Sequence, residues 1–330
     1  MTTLSFAEKT VLLTGAGGPA PAGMISVLRQ WGYRTVAVDM LVHSPAFYLA
    51  DAAYVVPAGN SPEFLPRLRK ICEKERVDAV ISVVDEELVA VLELEDIGVR
   101  VLQPQKAFVE LCLDKHRCMN SLIDNDIPAP ATWKVDAIPA DASYPLFIKP
   151  ITGRGSRGIG RIDSIDELPE FLKNSAYLPK QLMVQEFIDG PEYTISVIVW
   201  RDGEVQAVVP KEIISKVGVT RFAVTRHNEK IDYVCRKVQE KFQANGPFNV
   251  QLRLDKDGNP FIFEINPRFS TSITLTMAAG VDELGGLLSQ ALFGRASHQF
   301  SEWQEGVVMI RQTQDYFLSE SEYRNHQVNT

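Results

Sequence analysis

Apolar positions recur in this chain with two different periods, and the switches between them mark its elements. Thr10 to Leu13 is a short unbroken apolar run that enters the glycine-rich TGAGGPAPAG. Apolar residues then return at helical spacing from Ala22 to Gln30, Gly32 stops the pattern, and TVAVD is a second apolar run ending at Asp39. A strand, a helix and a strand in that order make a βαβ opening. The alternation repeats with a helix over about Pro62 to Lys74, the strand DAVISVV from Asp78 to Val84, a helix around Glu86 to Leu94 and the short strand VRVL. Continuous apolar strands between helices predict a doubly wound α/β unit on a parallel sheet.

From Gln103 the pattern changes. LDKHRCMNSLID reads as a helix that the prolines of DNDIPAPAT end. Tyr144 to Lys149 is a strand, Gly153 to Gly160 a glycine-rich loop, Gly160 to Asp163 a returning strand, Asp166 to Lys173 a helix and Gln181 to Phe187 a strand. EYTISVIVW and EVQAVVP follow as strands, then a helix over about Lys230 to Phe242, a hairpin, a helix near Leu284 to Leu292 and the strand-like GVVMIRQT. These shifts predict an amino-terminal domain over 1–110, a first lobe over 111–187 and a second lobe over 188–330.

The hairpin, NVQLRLDKDGNPFIFEINPRFS, concentrates candidate chemistry. A two-residue type I′ turn at Asp257-Gly258 makes paired positions sum to 515, so Gln251 falls opposite Glu264. Side-chain alternation then puts Asn249, Gln251, Arg253, Glu264 and Asn266 on one face, and Val250, Leu252, Leu254, Phe261, Phe263 and Ile265 on the other. A carboxylate flanked by amide oxygens suits a hard cation such as Mg²⁺. A merely solvated face would instead be expected to carry Lys, Glu and Thr. Pro267 and Arg268 follow, a fixed bend and then a fork suited to phosphate.

Composition narrows the function classes. The 330 residues and 45% hydrophobic content allow more than one core, and a net charge of −8 argues against a nucleic-acid footprint or a basic membrane patch. Four cysteines (Cys72, Cys112, Cys118 and Cys235) form no CxxC pair, and five histidines show no ligand spacing, so neither a disulfide framework nor a histidine zinc site is expected. MTTLSFAEKT lacks the features of a signal peptide and no apolar run approaches the ~18 residues of a membrane span. The expectation is a cytoplasmic protein with small-molecule ligands, no nucleic-acid or membrane partner, and a homodimer as an open assembly.

GRGSRGIG, Gly153 to Gly160, lies between two strands, four residues past Lys149. Its glycines let backbone amides converge on phosphate, and Arg154 and Arg157 add charge; a flexible hairpin connection would have the same composition. Gln185 and Glu186 end an apolar strand, and Glu192 follows the Asp189-Gly190-Pro191 turn, an arrangement suited to an adenine hinge with a carboxylate near ribose hydroxyls. TGAGGPAPAG with Asp39 partly fits a dinucleotide fingerprint, which keeps an NAD(P)-dependent oxidoreductase as a rival, although the glycine spacing departs from GxGxxG.

Taken in order, Asp114-Lys115, FIKP ending at Pro150, GRGSRGIG, VQEFIDGPEY, NVQ and FEINPRFS resemble the ATP-grasp superfamily, most closely the branch of the carbamoyl-phosphate synthase large subunit. The resemblance implies a Rossmann-like pre-ATP-grasp domain followed by a two-lobed α+β ATP-grasp domain, with ATP and Mg²⁺ (or Mn²⁺) as cofactors. It implies that Lys115 and Lys149 meet ATP phosphates, and that Gly153, Arg154, Gly155, Ser156, Arg157 and Gly158 close over them. Gln185, Glu186, Phe187 and Ile188 would flank adenine and Glu192 would face the ribose. Gln251, Glu264 and Asn266 would hold metal, and Arg268 would act with Arg157 and Lys149 on the transferred phosphoryl group. Carbamoyl-phosphate synthase large subunits carry two such halves and a further arginine after NPRxS, where this chain has one unit and Thr271. The departures favour a carboxylate-amine ligase, with phosphorylation of bicarbonate or carbamate as the alternative. The acid and amine pockets are expected on loops around Arg221 to His227 and Ser270 to Thr274.

Overall fold

The computed structural model describes residues 9–155, 157–294, 300, 302–312 and 315–325. The chain divides into two compact units, one of Met1–Gln103, Thr271–His298 and Ile310–Thr330, the other of Pro104–Ser270 and Gln299–Met309.

In the first unit β1 (Thr10–Leu13), α1 (Pro21–Gln30), β2 (Arg34–Asp39), β3 (Ala52–Val55), α2 (Phe64–Glu75), β4 (Ala79–Ile81), α3 (Leu88–Val91) and β5 (Arg100–Val101) follow in order. The strands form a parallel sheet in the order β3-β2-β1-β4-β5. All four residues of the central β1 are buried, which is why that strand reads as an unbroken apolar run instead of an alternating one. Strand β3 escaped the sequence pattern because AAYV, half of it alanine and buried only at its two middle positions, is too weakly apolar a run to stand out. The helix expected from Glu86 to Leu94 is one α turn between tighter 3₁₀ segments, closed by Gly98 at φ +83°. Leu12, Val36, Val38, Phe64, Leu68 and Val80 belong to the core beneath the sheet.

The second unit opens with α4 (Lys106–Leu113) and α5 (Lys115–Asp124). The helix read in LDKHRCMNSLID is α5, whereas α4 ahead of it was not expected; Asp114 between them is extended (φ −96°, ψ 95°) and its carboxylate accepts the Arg117 backbone N–H at 2.9 Å, so it starts the second helix. Four strands follow, β6 (Thr132–Lys134), β7 (Leu146–Pro150), β8 (Gly160–Ile162) and β9 (Leu182–Glu186), with α6 (Leu168–Asn174) before β9. They form an antiparallel sheet in the order β6-β9-β7-β8. Leu146, Ile148, Ile162, Leu182 and Val184 make its core.

A six-stranded sheet completes this unit: β10 (Glu192–Val199), β11 (Val205–Val217), β12 (Val219–Thr225), β13 (Phe248–Leu254), β14 (Pro260–Asn266) and β15 (Val308–Ile310), in the order β14-β13-β10-β11-β12-β15. Helix α7 (Glu229–Phe242) lies between β12 and β13 in the chain; its Ile231, Val234, Cys235 and Val238 share a core with Ile195, Val197, Val250, Leu252 and Ile262 of the sheet. Strand β12 runs through Thr225, so most of the stretch expected as a substrate loop from Arg221 to His227 is a paired strand. The chain then returns to the first unit with α8 (Ile273–Ala278), which begins inside the other expected loop, α9 (Glu283–Phe293) and finally α10 (Glu320–Asn325). Among the described residues no helix is long and apolar enough to cross a membrane.

Candidate functional site

The β13–β14 hairpin carries the centre of the site, and its register has two halves. The turn is not the expected type I′: Gly258 N–H donates to the Asp255 carbonyl at 3.0 Å, Asp255 N–H donates to the Asn259 carbonyl at 2.9 Å, and Gly258 sits at φ +72°. Three residues therefore loop out, fixed by the Asp255 carboxylate, which accepts the backbone N–H groups of Asp257 and Asn259 at 2.9 and 2.7 Å. Leu254, Arg253 and Leu252 consequently pair with Pro260, Phe261 and Ile262, one residue out of the predicted register. A bulge at Phe263 takes up the difference, and beyond it Gln251 lies opposite Glu264, Val250 opposite Ile265 and Asn249 opposite Asn266, as the sequence predicts. The side-chain assignment changes in the lower half. Ile262 enters the core, Phe261 joins Arg253, and Phe261 and Phe263 are half-buried rather than apolar-face residues.

The register continues across the sheet. Gln251 lies opposite Thr194, Thr194 opposite Lys211, and Lys211 opposite Thr225, so Glu264, Gln251, Thr194, Lys211 and Thr225 form one polar row over five strands. The next row holds Ser196, Asn249 and Asn266. Asn249 spends its amide within the sheet, donating to Thr194 Oγ1 at 2.8 Å and to the Ile195 carbonyl at 2.9 Å. Lys211 has no exposed surface, and its Nζ donates to Ser196 Oγ at 2.8 Å. Sequence reasoning missed it, although a lysine inside the apolar VVPKEII strand was the available signal, since lysines are rarely fully buried without a partner.

Two further lysines converge on Glu264 from other elements. Lys115, at the first position of α5 and 9% exposed, places Nζ 3.7 Å from Glu264 Oε1 and 2.5 Å from the Gly153 carbonyl. Lys149 on β7, 6% exposed, donates to Gln185 Oε1 at 2.9 Å and to the Phe263 carbonyl at 2.7 Å, with its ammonium over the Phe263 ring. The bulge thus lends its carbonyl to the lysine. Burial pulls the Lys149 ammonium down to about 8, against the opposing attraction of Glu264; Lys115 and Lys216 repel it and push in the same direction as burial. Gln185 is committed as a bridge, its amide donating to Thr132 Oγ1 at 3.0 Å.

At the hinge end, Glu192 is held by Lys216 Nζ at 2.9 Å and Arg253 Nη2 at 3.0 Å. Phe187 lies under two guanidinium groups, those of Arg161 and Arg253, at 5.1 and 5.2 Å from its ring centre. Glu186 and Ile188 flank Phe187 as half-buried residues. At the opposite end Arg268, buried, donates through Nη2 to Asn266 Oδ1 at 3.1 Å.

In the glycine-rich loop, Gly153, Gly155 and Gly158 all have positive φ, and Arg154 and Arg157 are exposed. The Gly153 carbonyl ties the start of the loop to Lys115, and Ser156 lies outside the described residues. For a metal, Gln251, Glu264 and Asn266 offer one carboxylate and two amides on one face, and among the described residues no group of three His, Cys, Asp or Glu side chains is placed to hold an ion. One carboxylate with neutral oxygens fits a hard cation completed by phosphate oxygens and does not fit a soft one.

In the first unit the Asp39 carboxylate accepts the Gly17 N–H at 2.7 Å and the Leu41 N–H at 2.8 Å. The acid of the would-be dinucleotide fingerprint therefore braces its own glycine loop, and a Cβ on Gly17 would come within 3.2 Å of it.

Comparison with known proteins bears on the fold. Residues 179–315 match the family described as ATP-grasp in the biosynthetic pathway with Ter operon, and residues 11–101 match the PylC-like N-terminal domain. The arginine-specific carbamoyl phosphate synthase large chain of Bacillus subtilis is 22% identical over 271 residues, 76% of this chain but only 25% of that protein. The carboxyaminoimidazole ribonucleotide synthase of Aspergillus clavatus, solved with ATP, superposes with a TM-score of 0.73 at 20% identity, covering 93% of this chain and 81% of that one. The L-amino acid ligase of Bacillus licheniformis gives 0.67 at 20% identity, covering 87% and 75%.

Proposed function

We propose that this chain, which carries an ATP-grasp domain behind a PylC-like amino-terminal domain, is an ATP-dependent ligase that activates a small carboxylic acid as an acyl phosphate for attack by an amine. The observation that carries the reading is the convergence of Lys115 and Lys149 on Glu264, itself opposite Gln251. Two ammonium groups, a carboxylate and amide oxygens on rigid elements are what a nucleotide triphosphate with a divalent cation requires.

In this reading ATP lies in the second unit, within Pro104–Ser270. Residues Gln185 to Ile188 border the adenine, Glu192 accepts from the ribose, and the 153–158 backbone with Arg154 and Arg157 covers the phosphates. Gln251, Glu264 and Asn266 hold Mg²⁺, which when bound neutralises phosphate charge. The substrate carboxylate oxygen attacks the γ-phosphorus, the bond to the β,γ-bridging oxygen breaks and ADP leaves. Lys115, Lys149 and Arg268 stabilise the charge spread over the transferred group, a matter of positioning and electrostatics. The amine then attacks the acyl carbon, loses its proton and releases phosphate. Bicarbonate in place of the organic acid is the alternative, favoured by the carbamoyl phosphate synthase relative. The setting would be cytoplasmic.

The test is phosphate release from Mg²⁺-ATP against pooled small carboxylates, amino acids and bicarbonate. Release that needs both an acid and an amine is expected; absence of ATP binding, with tight NAD binding instead, overturns the reading.

A further inference from the structure

The hinge end of the sheet contains a guanidinium for which the scheme above has no use. Arg253 stands on β13 directly opposite Glu192 of β10, on the face that carries Gln251 one pair further on. Its Nη2 donates to Glu192 Oε2 at 3.0 Å, its Nη1 to the Gly190 carbonyl at 3.2 Å, and its carbon lies 5.2 Å from the Phe187 ring centre. One side chain therefore touches the aromatic residue, the turn and the carboxylate of the segment 187–192. The turn is seated just as closely. A Cβ on Gly190 would fall 1.9 Å from the Leu254 carbonyl oxygen, and Leu254 N–H donates to the Pro191 carbonyl at 3.1 Å.

The geometry points to Arg253 as a positioning residue for nucleotide recognition: it fixes the Glu192 carboxylate and the Phe187 ring in the orientation that reads ribose and base. The inference rests on the nucleotide reading of the site. A carboxylate has about four acceptor positions. Arg253 and Lys216 take one on each oxygen, which leaves positions on both for ribose hydroxyls. The planar fork reaches Gly190 and Glu192 together, which the single ammonium of a lysine does less well. Without it Glu192 is held by Lys216 on one oxygen alone, and its remaining rotation has to be ordered when the ribose arrives, which is worth roughly a two- to tenfold change in affinity.

The probes are ATP and 2′-deoxyATP, titrated with Mg²⁺ by calorimetry into the full chain and its Arg253→Met, Arg253→Lys and Glu192→Gln variants. The wild type is expected to prefer ATP over 2′-deoxyATP by about tenfold, on the scale of one hydrogen bond to a charged group. Arg253→Met loses most of that preference, Arg253→Lys loses part of it, and Arg253→Met adds nothing in a Glu192→Gln background. A structural brace alone would weaken both nucleotides equally and leave their ratio intact, and that result overturns the inference even if Arg253→Met is less stable. A wild type that binds both nucleotides alike also overturns it. A wild type that binds neither overturns the nucleotide reading itself, so the two failures are distinguishable.

Discussion

The ammonium of Lys115, at the start of α5, stands 3.7 Å from the carboxylate of Glu264 on β14. Glu264 also draws Lys149 toward its charged form. Its negative charge is therefore shared by two lysines from different elements, and replacing it changes both. Glu264→Gln preserves shape but takes the countercharge from two buried lysines, so its midpoint of denaturation should fall. The strengthening of ATP binding by Mg²⁺ should disappear, and phosphoryl transfer should fall by about two orders of magnitude or more, the scale of losing a transition-state charge partner. Calorimetry with and without Mg²⁺ checks the first effect; retention of the Mg²⁺ dependence would remove Glu264 from the metal site.

Lys149 makes binding pH-dependent. Its ammonium is lowered to about 8, so near that pH half the molecules are neutral there, and the arriving phosphates favour the charged form. ATP binding should take up about half a proton per site at pH 8 and almost none at pH 6.5. Titrations in buffers of different ionisation enthalpy measure this directly, and equal heats at pH 8 would exclude Lys149 from the phosphate site. The stability effect has a definite sign. The unfolded state holds this proton more tightly, so the contribution of Lys149 to stability rises with pH between about 8 and its unfolded value near 10.4.

Gln185 links Lys149 to Thr132, and neither neighbour is exposed. Gln185→Leu keeps much of the volume but leaves a buried ammonium one acceptor short, which should cost about 1–3 kcal/mol. The denaturation midpoint should fall at an unchanged slope, and Lys149 should lose its proton at lower pH, moving the proton-uptake profile with it. Unchanged stability would mean that solvent replaces the amide.

Asp39→Ala addresses the rival reading. Two backbone N–H groups of the glycine-rich turn and the segment after β2 lose their acceptor, for about 1–3 kcal/mol of destabilisation. ATP affinity, measured by the same titrations, should not change. A large loss of nucleotide binding would assign a ligand role to the first unit.

The legible parts of the chain were those in which one local signal decides the outcome. Unbroken apolar runs gave β1 and β2, and NVQ with FEIN gave the pairing of Gln251 with Glu264. The turn failed because Asp257-Gly258 has the composition of a two-residue connection, while the Asp255 carboxylate makes a three-residue loop more favourable by accepting two N–H groups. Asp114 was legible as a helix start, but α4 before it was not, because KAFVELCL spans only eight residues and offers little more than two turns of apolar spacing. Lys211 and the partners of Arg253 are set by neighbours distant in the chain, Glu192 lying 61 and Gly190 63 residues from Arg253, a distance no local pattern spans.

The extra residue at Phe263 has a consequence for how the hairpin can vary. Strand pairing normally ties a turn to everything beyond it, so one residue gained or lost at the tip turns every side chain further along to the wrong face. Here the odd residue is absorbed between the tip and Glu264, where one backbone carbonyl is already drawn off by Lys149. The one-residue offset of the loop thus stops short of the acid. The three-residue tip therefore leaves the carboxylate where a two-residue turn would have put it, opposite Gln251.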